Sequence, residues 1–211
     1  TTRGVGVDRL TSAARSTLWT VRHTVARPNK MNDAAIAFER ASRALSDAST
    51  RSTAEATLLD LRRRPDARET AKSVLVHAHA KDALFQAAAT FRVAALRDWG
   101  ALDEGARREL REFALRWTLE RTDADRVVRN QMSATTAVFI KRACVDADDN
   151  AKMAMLAECE GTVRTKSGEG SSCSDARTIG LEVFAAVVSE FAPGTASELG
   201  TTWEKHERCR A

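Results

Sequence analysis

The stretch from Leu84 to Trp99, LFQAAATFRVAALRDW, limits the possible folds more than any other part of the chain. It contains no Gly and no Pro, and Ala is its commonest residue. This composition favours an α-helix, because Ala loses no side-chain freedom there and Gly or Pro would break the backbone pattern. Apolar residues recur at steps of three and four, which predicts one buried helical face made of Leu84, Ala88, Phe91, Ala95 and Trp99.

The other residues of this helix divide between a wider apolar face and a polar edge. Phe85 and Ala89 are expected to widen the buried stripe. The polar side chains that lie off the stripe are Gln86, Thr90, Arg97 and Asp98. The pattern therefore predicts a helix that packs between neighbours and shows a narrow polar edge to the surroundings.

The sequence after residue 30 has a helical pattern throughout. Three Pro, ten Gly and no Tyr among 211 residues favour helices over a sheet. Residues able to cap a helix, such as Asn32 or Asp33 and Asp148 or Asp149, precede apolar-periodic segments. The predicted helices are 33–48, 54–64, 66–80, 84–99, 104–121, 123–143, 149–160, 175–191 and 203–210, with a Gly- and Ser-rich loop at 161–174.

These helices can be grouped into pairs that begin near residues 33, 66, 103 and 148. The spacings of 33, 37 and 45 residues are typical of HEAT-like helical repeats. The predicted fold class is therefore all-α, with about four antiparallel helix pairs and the first helix of a fifth. A compact eight-helix bundle would give nearly the same periodicity, so that alternative stays open.

The net charge of +4 is concentrated at one end of the chain. Residues 1–30 hold six basic residues against one acidic residue, a net +5, and the remaining 181 residues sum to −1. A general affinity for nucleic acid is therefore not expected. The basic, acid-poor segment 1–30 is expected to be a disordered leader or sequence upstream of a start at Met31, with an organelle transit peptide as the alternative.

No residue pattern indicates catalysis, a cofactor or a metal. Cysteines 144, 159, 173 and 209 lack zinc-like spacing and are expected to be free thiols in a reducing compartment. His77 and His79 would point about 200° apart on a helix, so they cannot chelate one ion. The GEGSSCSD stretch at 168–175 lacks the Lys-Ser/Thr end of a phosphate-binding loop. No segment reaches the ~20 apolar residues that cross a bilayer, so membrane insertion is not expected.

Four segments, in this order and spacing, resemble the N-terminal part of exportins, which belong to the importin-β superfamily of nuclear transport receptors. They are AEATLLDLRR at 54–63, LFQAAATFRVAALRDW at 84–99, VRNQMSATTAVFIKRA at 128–143 and VSEF at 188–191. The resemblance extends from about residue 34 to residue 210, and residues 1–30 have no counterpart. Receptors of this family are several times longer, so a truncated array is expected.

The resemblance implies a right-handed superhelix of HEAT repeats, each with an outer A helix and an inner B helix. It implies that residues 31–211 bind the small GTPase Ran in its GTP form. In the full-length receptor it further implies nuclear pore proteins and protein cargo as partners, with translation factor 5A as one cargo type. Such a receptor shuttles between nucleus and cytoplasm and has no enzymatic activity.

The resemblance also suggests which residues contact Ran. The fourth, sixth and eighth helices would be B helices, and Ran would contact polar residues off their buried stripes: Gln86, Thr90, Arg97, Asp98, Gln131, Lys141 and Arg142. The alternative for each is solvated surface, with Lys141 and Arg142 favourably placed at a helix C-terminus. At the level of the whole protein, the alternatives are a HEAT-like scaffold with no dependence on Ran and an all-helical enzyme.

Overall fold

The computed structural model describes residues 31–145, 147–168 and 173–192, without the side chains of 165–168 and 173–176. This part of the chain contains helices and no strand, which confirms the all-α prediction. The helices are α1 (Asp33–Ala44), α2 (Arg51–Arg63), α3 (Ala67–His77), α4 (Lys81–Asp98), α5 (Glu104–Glu120), α6 (Arg126–Cys144), α7 (Asp149–Gly168) and α8 (Cys173–Phe191), with a 3-10 turn at Trp99–Ala101. The predictions for residues 1–30 and 203–210 lie outside the described residues.

Side-chain caps fix several helix starts. The Asn32 side chain accepts a hydrogen bond from the Ala35 amide at 2.8 Å, as predicted. The Asp103 carboxylate accepts one from the Ala106 amide at 2.7 Å, and the Asp148 carboxylate one from the Ala151 amide at 2.7 Å. These bonds satisfy amide groups that the first turn of a helix leaves without partners.

The largest error in the predicted helix boundaries concerns α7. The sequence predicts that this helix ends at residue 160 and that a loop follows, whereas the helix continues to Gly168. The reason is the burial of Val163, which packs in a cluster with Leu115, Leu119, Ile179 and Val183. Contacts with α5 and α8 therefore override the local preference of a Gly- and Ser-rich sequence for a loop.

The main hydrophobic core is formed by residues from each of the helices α1 to α6. The five predicted stripe residues of α4 are all buried, from Leu84 to Trp99. The Phe91 ring packs edge-on against Phe113 and Phe139, with centroid distances of 5.3 and 5.8 Å. Phe85 is different, because 39% of it is exposed, so its predicted place in the buried stripe is wrong.

The helices contact one another in a regular order. Consecutive helices pack as pairs: α1 with α2, α3 with α4, α5 with α6 and α7 with α8. Beyond these pairs, α1 contacts α3 and α4, α5 contacts α7 and α8, α4 contacts α6, and α6 contacts α8. All of the larger helix interfaces join helices one to three positions apart in the chain.

Candidate partner-binding surface

The four polar residues predicted on α4 form a group, here called the α4 edge: Gln86, Thr90, Arg97 and Asp98. Arg62 of α2 binds two of them. Its Nη2 donates to Gln86 Oε1, and its Nε donates to Thr90 Oγ1 at 3.1 Å. The Thr90 hydroxyl in turn donates to the Gln86 carbonyl at 2.8 Å. The edge is therefore part of the junction between α2 and α4.

Thr90 corrects one prediction. The sequence suggests an accessible polar residue, but Thr90 is only 4% exposed. Its hydroxyl is covered because Arg62 lies over it and because it bonds back to the preceding turn of its own helix. Thr90 can hold Arg62 in position, and it is not available for direct contact with a large partner.

Arg97 and Asp98 lie at the C-terminal end of the α4 edge. Arg97 donates to the carbonyl oxygens of Arg62 and Arg64, at 3.3 and 3.4 Å, where α2 ends. These carbonyls lack partners within their own helix, so a guanidinium there stabilises the helix end. Arg97 Nε also donates to Asp98 Oδ1 at 2.8 Å, and this bond raises the pKa of Arg97. Arg97 is exposed and Asp98 is half-buried.

Arg62 carries a charge that its neighbours do not balance. Its hydrogen-bond partners among the described residues, the Gln86 amide and the Thr90 hydroxyl, are both neutral. Arg62 is half-buried, and burial lowers the pKa of its guanidinium because it penalises the charged form. A partly dehydrated guanidinium with neutral partners can still donate hydrogen bonds to a carboxylate.

The three predicted residues of α6 do not form a comparable surface. Lys141 is fully buried, so its predicted accessibility is wrong. Its Nζ donates to the Glu190 carbonyl at 2.7 Å and to Glu190 Oε1 at 3.1 Å, and it lies 5.9 Å from the centroid of the Phe191 ring. The sequence could not indicate this, because Glu190 lies 49 residues further along the chain.

Gln131 and Arg142 are both half-buried. Gln131 Oε1 is buried and has no hydrogen-bond partner among the described residues. Ten residues separate Gln131 from Lys141 on α6, which corresponds to about 15 Å along a helix.

Sequence reasoning missed a row next to the α4 edge in which Phe85, Val93 and Arg97 are exposed and Ala89 is half-buried; this row is here called the α4 ridge. These residues follow one another at steps of four, so they form one ridge along the helix surface. Val93 is 64% exposed and Phe85 39%. The sequence contained a hint of this row, because its four residues lie beside the polar positions Gln86 and Thr90. Phe85, Ala89 and Val93 are apolar, however, and apolar residues suggest burial.

Other candidate chemistry is sparse in the described part of the chain. No group of three or more His, Cys, Asp or Glu side chains is arranged there to hold a metal ion. His77 Nδ1 lies 2.8 Å from the Ser73 carbonyl, and His79 is exposed. Burial raises the pKa of the Cys159 thiol to about 11, so this thiol stays protonated and unreactive at neutral pH.

Two further observations bear on the chain as a whole. None of the described helices combines the length and the apolar character required to cross a bilayer. No model of a known protein family matches the sequence.

Proposed function

We propose that this chain is a HEAT-like binding scaffold of the nuclear transport receptor type, with no chemistry of its own. One observation carries the proposal: the larger helix interfaces join helices at most three positions apart in the chain, and α4, α6 and α8 contact each other in sequence. Short connections make consecutive helices antiparallel. Interfaces limited to near neighbours in the chain support a stacked array better than a compact bundle, in which distant helices would also meet.

The proposed partner is Ran in its GTP form, bound through the row that contains α4. Support comes from the resemblance of the four segments to exportins and from the accessible polar residues of the α4 edge. Thr90 and Lys141 are left out of the proposed contact set because they are buried. Gln86, Arg97 and Asp98 remain, and Arg62 and Arg64 of the neighbouring helix end join them.

Under this proposal the protein works by linkage. Ran and a protein cargo would each favour one curvature of the array, so each would raise the affinity of the other by the same factor. In a full-length receptor the cargo would include a protein of the translation factor 5A type. The full-length receptor would bind nuclear pore proteins as it crosses the pore, and it would shuttle between nucleus and cytoplasm.

The deciding experiment measures binding of the chain to Ran loaded with a non-hydrolysable GTP analogue and, separately, to Ran loaded with GDP. We expect about tenfold or more tighter binding of the GTP form, a coupling of the size usual for allosteric proteins. Equal binding to both forms would favour a scaffold without Ran dependence, and no binding to either would reject the Ran proposal for this chain.

Two arginine variants test the contact surface itself. Arg97→Gln should weaken the complex, because it removes the charge while keeping a donor for the α2 carbonyls. Arg116→Gln is the matched control, since Arg116 is a similarly exposed arginine on α5, outside the row of even-numbered helices. An equal effect of both substitutions would exclude the α4 edge as the contact surface.

A further inference from the structure

The α4 ridge presents exposed apolar side chains, Phe85 and Val93, next to the positive charge of Arg62. Phe85, Ala89 and Val93 line one row at steps of four, and Arg97 continues the row at its C-terminal end. Single exposed apolar residues are ordinary on a protein surface. An aligned row is less ordinary, because its spacing matches the one at which a second helix can insert its own side chains.

Arg62 supplies the charge beside this row. It binds Gln86 and Thr90, and Val93 follows these residues by seven and three positions. Residues three, four and seven apart share a helix face, so Arg62 lies over the same face of α4 as Val93. A partner side chain that packs on Val93 therefore brings the next turn of its own chain to the Arg62 guanidinium.

Arg62 forms no ion pair with an acidic side chain in the described part of the chain; its partners are Gln86 and Thr90. The acidic side chains of α4 stand at its two ends, Asp82 and Asp98. Asp98 binds Arg97 at 2.8 Å and faces Arg68 at 3.9 Å, so its charge is already shared by two guanidinium groups. The positive charge next to the ridge is therefore available to a carboxylate from outside.

We infer that the α4 ridge and Arg62 bind an acidic amphipathic helix of a partner protein. Its apolar side chains, spaced three and four apart, pack on Phe85, Ala89 and Val93, and a carboxylate one turn away bonds to Arg62. The partner is recognised through the apolar face of an amphipathic helix, with charge selecting among partners. The inference rests on the proposed binding role of this surface and names the chemistry of the segment that binds there.

The test uses two synthetic peptides of about 16 residues, long enough to sample a helix. Both carry Leu at helical spacing, and one carries Glu where the other carries Lys. The acidic peptide should shift the backbone nitrogen–proton resonances of residues 85–97 and the Nε–H resonance of Arg62, and the basic peptide should not. Equal binding of the two peptides, shifts elsewhere on the protein, or no binding would each overturn the inference.

Substitutions in the protein separate the ridge from the rest of the surface. Val93→Glu should weaken binding of the acidic peptide about tenfold, since it places a carboxylate against the peptide's own. Val127→Glu is the matched control, because Val127 is an exposed valine at the start of α6. Arg62→Met should weaken the acidic peptide by a similar factor. If Val93→Glu binds the peptide as well as the unaltered protein does, the ridge is not the site.

The peptide and Ran experiments together show which of the two proposals fails. A protein that binds the acidic peptide on the ridge and ignores both forms of Ran supports this inference and rejects the proposed partner. A protein that prefers Ran–GTP and does not bind the peptide supports the proposed partner and rejects the acidic helix.

Discussion

Two cations each reach from one even-numbered helix to the next, Arg62 from α2 to α4 and Lys141 from α6 to α8, and their surroundings differ. At the α2–α4 junction, Arg62 reaches across to Gln86 and Thr90, which are neutral, and stays half-buried. At the α6–α8 junction, Lys141 reaches across to Glu190 and is fully buried. The first cation keeps a charge that a partner could use. The second is neutralised within the fold and can serve only stability.

Replacing Lys141 should have the largest effect. Lys141→Met keeps most of the side-chain volume but removes the buried ammonium group that bonds to the Glu190 carboxylate. We expect a loss of about 3 kcal/mol in the free energy of unfolding, as for other broken buried pairs. Urea unfolding followed by circular dichroism measures it.

The control for this substitution is Lys81→Ala, which removes an ion pair with Asp125 from an exposed position. Exposed pairs contribute roughly 0–1 kcal/mol. If Lys141→Met and Lys81→Ala lower the free energy of unfolding equally, burial does not make the Lys141–Glu190 pair more important for stability than an exposed pair.

Alkaline pH should destabilise the α6–α8 side of the molecule. Cys159 packs against the clusters around Ile140 and Ile179, and burial raises its pKa from 9.0 to about 11. Below pH 9 the thiol is protonated in both states. Between pH 9 and 11 it ionises only in the unfolded chain, so stability falls by about 2–3 kcal/mol as pH rises.

Urea unfolding at several pH values, for the unaltered protein and for Cys159→Ala, measures this term. The variant should lose the part of the decline that belongs to the thiol, and no Tyr is present to titrate in the same range. Identical pH profiles would show that Cys159 is not protected by burial.

Removing the hydroxyl of Thr90 should destabilise the protein less than replacing Lys141, and it tests the contact between α2 and α4. Thr90→Val keeps the shape but removes the oxygen that accepts the Arg62 Nε–H. The expected cost is about 1 kcal/mol of unfolding free energy. Thr57→Val is a suitable control. The Thr57 hydroxyl also donates to a carbonyl four residues earlier, but among the described residues it accepts no hydrogen bond from an arginine. A smaller cost for Thr90→Val than for the control would contradict the role given to Thr90.

The smallest effect is expected from Arg62→Met. The Gln86 amide can bond to water once the guanidinium is gone, so stability should change by less than about 1 kcal/mol. The same unfolding measurement compares this variant with Lys141→Met. If the two cost the same, the contrast between the junctions is wrong and Arg62 is as structural as Lys141.

Local patterns were sufficient to predict most of the helices. The apolar stripe of α4 and the Asn32 cap depend on residues within a few positions of each other, and both were confirmed. The extension of α7 was missed because it depends on Val163 meeting α5 and α8, which lie elsewhere in the sequence.

The candidate surface was harder to predict for the same reason. Gln86, Arg97 and Asp98 were correctly expected to keep some exposure. The burial of Thr90 and Lys141, and the exposure of Phe85, depend on which neighbours arrive from distant helices. A single helix pattern fixes which residues share a face, but not which faces another helix covers.

The contact between Lys141 and Glu190 also has a consequence for how the chain assembles. Until the last turn of α8 docks, the Lys141 ammonium has no carboxylate partner and must stay hydrated, because burying a lone charge is costly. Dehydration of this part of α6 and docking of α8 are therefore expected to occur in one cooperative step. During synthesis on the ribosome, α6 would remain loosely packed until the residues up to Phe191 have emerged.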